Sequence, residues 1–228
     1  MAKETYPIRI NENEMMPILR VEPTDPGPLL VIVPSIFGIG TDVVEYAVAF
    51  ANEGALVYVL DPFWRNAPGP LPIPSGAPQA MKRMREVDTG QVSTDLLRAI
   101  ESGRGETLCN GDVILLGICF GGQFVVQAAH KGGVQGLATW HGGSLLSVLE
   151  PSMLDEVHIE MDFGEADPLI PLSDVEKIQA LFRNHPNIQI RTHEKSGHGF
   201  THTGTVKYNE NAAQQSQTSV VRIIQRFR

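Results

Sequence analysis

Cysteine is nearly absent: the 228 residues hold two, Cys109 and Cys119. Two thiols cannot build a disulfide framework. The stretch from Asp112 to Gly117 between them reads as a strand, which at about 3.3 Å per residue sets the pair roughly 20–30 Å apart. Free thiols fit a reducing compartment. The opening Met1-Ala2-Lys3-Glu4-Thr5 carries no apolar signal core. Long apolar runs are also missing. The longest, Pro28 to Gly38, is well short of the roughly 20 residues of a membrane helix. Positive charge is scarce: 18 Lys and Arg against 26 Asp and Glu leave a net charge of −8 at pH 7. Such a chain repels phosphate backbones. Its densest basic run, Lys82-Arg83-Met84-Arg85, is too short for a nucleic-acid arm. These absences point to a cytoplasmic protein with no nucleic acid and no membrane among its partners.

What is present suits one α/β domain over residues 1–228. Hydrophobic residues make up 42% of the chain, enough for one sizeable core. Leu29 to Pro34 is a continuous, β-branched apolar run, the pattern of a strand buried on both faces. A Gly-bearing loop follows, Ser35 to Gly40. Thr41 or Asp42 can then cap a helix to about Asn52, and Gly54 ends it. Leu56 to Leu60 reads as a second buried strand. Residues 61–78 are rich in Pro and Gly, a loop too long to be a mere connector and placed to shape a site. One helix is expected to run on to about Ser102. Val113 to Leu116 is a third strand, Gly121 to Lys131 a helix, and Gln135 to Trp140 and Val157 to Phe163 further strands. Ser173-Asp174-Val175-Glu176 reads as a capping box. That helix runs to about Asn184, before a strand at Ile188 to Thr192 and a helix at Asn211 to Phe227. The first 25 residues read as two short strands or loops at an edge. The alternation calls for a mostly parallel central sheet with helices on both faces, in three layers.

The strongest chemical signal is Gly117-Ile118-Cys119-Phe120-Gly121-Gly122, between a buried strand and a helix. Gly-x-Cys-x-Gly in that context is a nucleophile elbow. The middle residue occupies a strained turn, so Gly117 and Gly121 supply room beside it. The bland alternative is a buried structural Cys in a Gly-rich turn. A nucleophile needs a base, and Ser196-Gly197-His198-Gly199-Phe200 sets His198 between small residues after the last strand. His193 and His202 compete with it. A metal site formed by all three is disfavoured, because spacings of five and four match no common ligand motif. The base needs an orienting acid, and Asp167 follows a strand within Gly164-Glu165-Ala166-Asp167-Pro168. Glu165 and Asp162 are the alternatives. The order Cys119, Asp167, His198 is that of an α/β-hydrolase triad. Gly38-Ile39-Gly40 is only half of a dinucleotide loop, so no cofactor is expected.

Together these residues resemble the dienelactone hydrolase (carboxymethylenebutenolidase) family of the α/β-hydrolase fold. The likeness runs through nearly the whole chain. Val31 to Gly38 resembles the family's first core strand and oxyanion-side loop, and Asp61 to Gly69 the segment after its next strand. Gly117 to Gly122 matches its G-x-C-x-G-G, Asp167 its G-x-x-D and His198 its G-H-x-F. The resemblance implies a small ester or lactone substrate, attack by Cys119, and His198 as base and acid held by Asp167. It implies an oxyanion hole from the backbone N–H groups of Ile36 and Phe120. Ser35, Phe37, Trp64 and His202 are its candidate substrate-binding residues, with no metal.

Two departures stand out. Ser35 occupies the position of a family Glu that controls the thiol. His202 occupies that of a carboxylate-binding arginine, and for the family's second arginine only Lys82, Arg83 and Arg85 are at hand. An acyl-transfer or carbon–carbon hydrolysing relative, or a binding protein on the same fold, are the rival readings, as a monomer or small homo-oligomer. Cys109 has no partner histidine in any motif. Cys109→Ser is therefore expected to keep the catalytic rate within about threefold at a stability cost near 1 kcal/mol, as initial rates and denaturant melts would show.

Overall fold

The computed structural model describes residues 3–228. The chain opens with an antiparallel hairpin, β1 (Lys3–Asn11) and β2 (Glu14–Val21). Strands β3 (Gly27–Val33), β4 (Leu56–Leu60), β5 (Cys109–Ile118), β6 (Gly136–Trp140), β7 (His158–Gly164) and β8 (Ile188–His193) follow. All eight join one sheet in the order β1-β2-β4-β3-β5-β6-β7-β8. The hairpin meets β4 antiparallel, and every pairing from β4 to β8 is parallel.

Side chains of a strand alternate between faces, so a strand apolar at every position must be covered on both. β3 is buried throughout: Leu29, Val31 and Val33 enter one core, Leu30 and Ile32 the other. β5 divides in the same way, with Val113 and Leu115 opposite Ile114 and Leu116. The helices are α1 (Thr41–Asn52), α2 (Ala77–Glu86), α3 (Thr89–Arg104), α4 (Gly121–Ala129), α5 (Leu172–Leu181) and α6 (Glu210–Phe227). From α1 and α6, Phe50, Val220 and Ile223 cover one face, packed around Trp140. From α3, α4 and α5, Leu96, Phe124 and Val175 cover the other. No described helix is long and apolar enough to cross a membrane.

Three local expectations are revised. The single helix running to Ser102 is two. Val87 turns extended, and Asp88 caps a new start by accepting the Gln91 N–H at 3.0 Å. The Ser173 capping box is not used, because α5 starts earlier, at Leu172, with extended Pro171 as its cap. Neither Thr41 nor Asp42 caps α1. Gly40 stands at the cap position and Asp42 lies in the first turn.

Parallel strands collect their C-terminal ends at one edge, and the loops leaving β3, β5, β6, β7 and β8 gather there. Two glycines permit the close approaches this needs. A Cβ on Gly121 would stand 2.0 Å from the Val33 carbonyl oxygen, so β3 and α4 abut only without a side chain. A Cβ on Gly164 would stand 2.3 Å from the Ser196 oxygen, where the loops after β7 and β8 meet. The Val33 carbonyl belongs to a central strand and cannot yield. Gly121→Ala is expected to cost about 3 kcal/mol or more, read as a lowered denaturation midpoint with an unchanged slope.

Candidate active site

Cys119 is the first residue beyond β5, and its backbone is left-handed, with φ of 52°. A side chain in that region stores strain of about 1–3 kcal/mol, so it persists only where its surroundings impose it. Here the imposition is visible. The Cys119 N–H donates to the Trp140 carbonyl at 3.0 Å, and the Cys119 carbonyl accepts from Gly122 and Gly143 at 3.1 and 3.0 Å. The strand end, the helix start and the loop after β6 thus all grip one residue and push its thiol outward.

His198 lies in the loop after β8, and β6 and β7 separate that strand from β5. The loop crosses because it is anchored on the way. Phe200 is fully buried, with its ring 5.2 Å from His193 and 5.3 Å from His141. The Tyr46 hydroxyl donates to the Thr201 carbonyl at 2.8 Å, and the Asn209 N–H to that of Phe200 at 3.0 Å. So placed, His198 sets Nε2 3.0 Å from the Cys119 sulfur and Nδ1 2.8 Å from Asp167 Oδ2. The other carboxylate oxygen of Asp167 accepts the N–H groups of Leu169 and Ile170 at 2.8 and 3.2 Å. Asp167 is therefore locked in its own turn and aims one oxygen at the ring. Burial disfavours a charged His198, but its bonds to Asp167 and Cys119 outweigh burial and push its pKa up to about 10.

The alternative partners are engaged elsewhere. Asp162 holds His193 at 2.8 Å, beside Ser216 of α6. Glu165 is exposed and accepts the Lys195 N–H. His202 donates from Nδ1 to Asp42 at 2.7 Å. His193, His198 and His202 therefore do not converge as a ligand set. Among the described residues one cluster does offer metal-type donors, since one atom each of Cys119, His141 and His198 lie within 4.8 Å of one another. Both nitrogens of His198 and the thiol already belong to one hydrogen-bonded chain.

His141 is a site residue that no sequence motif marks. It follows β6, the strand beside the nucleophile's own, and that position is the available signal. It is fully buried with φ of 38°. Its Nε2 meets the Thr201 hydroxyl at 2.9 Å, its Nδ1 has no partner, and its ring stands edge-on 4.9 Å from that of His198. Burial, with the neighbouring His198 and His202, drives its pKa well below the ordinary value, so it stays neutral.

The Ile36 and Phe120 N–H groups have no partner among the described hydrogen bonds. Phe120 stands at the cap of α4, where helix N–H groups and dipole favour developing negative charge. Ile36 is held from behind. Buried Arg83 donates from Nε to the Ile36 carbonyl at 2.8 Å and from Nη1 to those of Ala67 and Gly69 at 2.9 Å. Its guanidinium lies 4.2 Å from the centre of the Phe63 ring. Lys82 pairs with Glu86 at the surface, and Arg85 is exposed on the same helix. Ser35 is buried and accepts the Phe37 N–H at 3.3 Å, so it shapes the loop. The Trp64 indole donates to Asp95 at 2.9 Å beneath the Arg65 guanidinium. Phe37 and His202 line a cleft of about 410 Å³. On its other side His198 borders a second cleft of about 470 Å³, with Lys195, Lys207 and Glu210 on its wall.

The chain is similar to known proteins in sequence and in fold. The carboxymethylenebutenolidase of Pseudomonas putida is 29% identical over 193 residues, covering 82% of this chain and 81% of its own. A dienelactone hydrolase-like promiscuous phosphotriesterase from metagenomic libraries superposes with a TM-score of 0.77 at 16% identity, covering 99% and 98% of the two chains. The dienelactone hydrolase of Anabaena variabilis does so with a TM-score of 0.70 at 13% identity, over 99% and 98%. The model of the dienelactone hydrolase family matches residues 16–228. With nearly the whole chain matched, this protein belongs to the dienelactone hydrolase family.

Proposed function

We propose that this hydrolase cleaves small carboxylic esters or lactones through a thioester on Cys119, with His198 and Asp167 completing a triad. The single observation that carries the reading is His198 bridging Asp167 Oδ2 at 2.8 Å and Cys119 Sγ at 3.0 Å. The raised pKa of His198 supports an imidazole that holds its proton in the resting site, and this reading takes the sulfur beside it as the attacking group.

In this mechanism the sulfur attacks the substrate carbonyl, and the oxygen takes up charge facing the Ile36 and Phe120 N–H groups. As the tetrahedral intermediate collapses, His198 gives its proton from Nε2 to the departing alkoxide, leaving an S-acyl enzyme. The neutral imidazole then removes a proton from water. The resulting hydroxide attacks the thioester, and the carboxylic acid leaves as sulfur and imidazole regain their charges. Asp167 keeps the Nδ1 proton in place throughout, so that Nε2 is the nitrogen that exchanges. Neutral His141 packs on His198 without adding a second positive charge.

Cys119→Ala and His198→Ala are each expected to abolish turnover of p-nitrophenyl esters while keeping the fold, read as an unchanged circular-dichroism spectrum. The double variant costs little more than either one, because triad members act as a unit. Wild-type enzyme should show a burst and a mass increase matching one acyl group on Cys119. Near-normal turnover by Cys119→Ala defeats the assignment.

The pH dependence follows from His198. Its folded pKa of about 10 lies above the ordinary value of 6.5, so its stabilising contribution is complete below about 6.5 and is lost as pH rises through about 10. Against His198→Gln, the wild-type advantage in denaturation should shrink over that window. Imidazole NMR should follow the high pKa directly and find it lowered in Cys119→Ala, which lacks one of the two supporting groups.

Arg83 acts by holding the Ile36 peptide. Arg83→Met should lower kcat by about ten- to hundredfold with KM changed much less, and Arg83→Lys should recover part of the loss. A fall confined to KM would show that Arg83 serves binding instead.

A further inference from the structure

We infer that the cleft beside the start of α1 receives a neutral, hydroxyl-bearing part of the substrate, and that Asp42, His202 and Thr203 set that preference. The inference rests on the hydrolase reading above and names its substrate class.

The cleft adjoins the catalytic groups. One wall carries Phe37 and Gly38, directly after the oxyanion residue Ile36. Another carries His202, whose ring is 5.7 Å from that of His141, which in turn packs on His198. The apolar stretch 70–73 forms the far side, and Thr41, Asp42 and Thr203 supply polar groups. No lysine or arginine is among the residues that line it.

The hydrogen-bond inventory decides what fits. The side chains of His202 and Asp42 are 8% and 12% exposed, and the polar atoms they leave open face the cleft, where a ligand that displaces water must replace its hydrogen bonds. In the neutral ring, the bond from His202 Nδ1 to Asp42 Oδ2 uses the N–H and leaves Nε2 as a lone-pair acceptor. Neither that Nε2 nor Asp42 Oδ1 has a hydrogen-bond partner among the described residues, and the hydroxyls of Thr41 and Thr203 are likewise unpaired. The cleft therefore presents acceptors and reversible hydroxyls, and its ligand must bring donors. A carboxylate brings none and meets Asp42. The start of a helix ordinarily attracts anions, but Asp42 in the first turn already supplies that charge. An alkyl chain leaves the acceptors unmet. A polyol brings several donors on one side and C–H surface for the apolar wall on the other. An ammonium group brings donors but no C–H surface for the apolar wall, and its strong hydration is costlier to strip than a hydroxyl's.

The test uses matched pairs. On the acyl side, p-nitrophenyl 3,4-dihydroxybutyrate is compared with p-nitrophenyl butyrate. On the alcohol side, glycerol monobutyrate is compared with propyl butyrate. The hydroxylated member of at least one pair should gain about tenfold in kcat/KM, and the succinate and 4-aminobutyrate analogues should fall below the plain ester. Asp42→Asn and Thr203→Val should each reduce that ratio at least about threefold. Calorimetry of the glycerol and propyl esters with Cys119→Ala reads the same preference without turnover. Ratios near one in both pairs and in calorimetry, or a preference for the carboxylate or the ammonium, overturn the inference. Turnover that survives Cys119→Ala instead overturns the triad, whatever the calorimetry shows.

Discussion

The site depends on one backbone conformation, the left-handed turn at Cys119. A strand that ran straight into a helix would bury this side chain between the layers. The positive φ lifts the thiol onto the C-terminal edge of the sheet instead, where loops from four other strands converge. The strain is sustained by three backbone hydrogen bonds to Cys119 and by the bare backbone of Gly121 against Val33. The same geometry starts α4 at once, with Phe120 at its cap. The proposed nucleophile and half of the proposed oxyanion hole are thus consequences of a single turn.

The second requirement is a proton carrier with its orientation settled beforehand. Among the described residues are three close His–Asp pairs: His198 with Asp167, His193 with Asp162, and His202 with Asp42. Chemically they are nearly equivalent. They differ in what meets the other nitrogen. His193 meets Ser216 beneath α6, His202 faces a polar cleft, and His198 meets sulfur. Position therefore sets one pair in the packed core, one on the wall of a cleft and one against the thiol, where the proposed chemistry needs it. The buried, neutral ring of His141 sits among them and limits the positive charge gathered around His198.

Arg83 illustrates the limit of charge as a guide. In sequence it belongs to the densest basic run of an acidic chain and suggests an anion site. In the fold its guanidinium is buried over Phe63 and donates to three backbone carbonyls, one of them that of Ile36. A planar group with several fixed donors is well suited to stitching two loops together. The cation is thus used in holding the oxyanion loop. With His202 turned to Asp42, the cleft beside α1 has no fixed positive charge, and this separates it from a carboxylate-binding pocket.

Much of this architecture is legible in the chain itself. Runs such as Leu29 to Val33, apolar at every position, require a sheet covered on both faces. Gly117-x-Cys119-x-Gly121 between strand and helix requires an elbow, because no larger neighbours fit. The order Cys119, Asp167, His198 at strand ends points to the proton chain. Local pattern is weaker at helix boundaries: Ser173 has the spacing of a cap, yet Pro171 sets the start of α5, and the break at Asp88 is hidden inside an amphipathic stretch. Sequence spacing says nothing about which side chains meet across the sheet. Only the tertiary structure decided that His141 joins the site, that Arg83 leaves it, and that His202 is taken by Asp42, 160 residues away. These outcomes depend on the pairing order of parallel strands and the path of crossing loops, and those are set by packing of the whole core, not by any local run of residues.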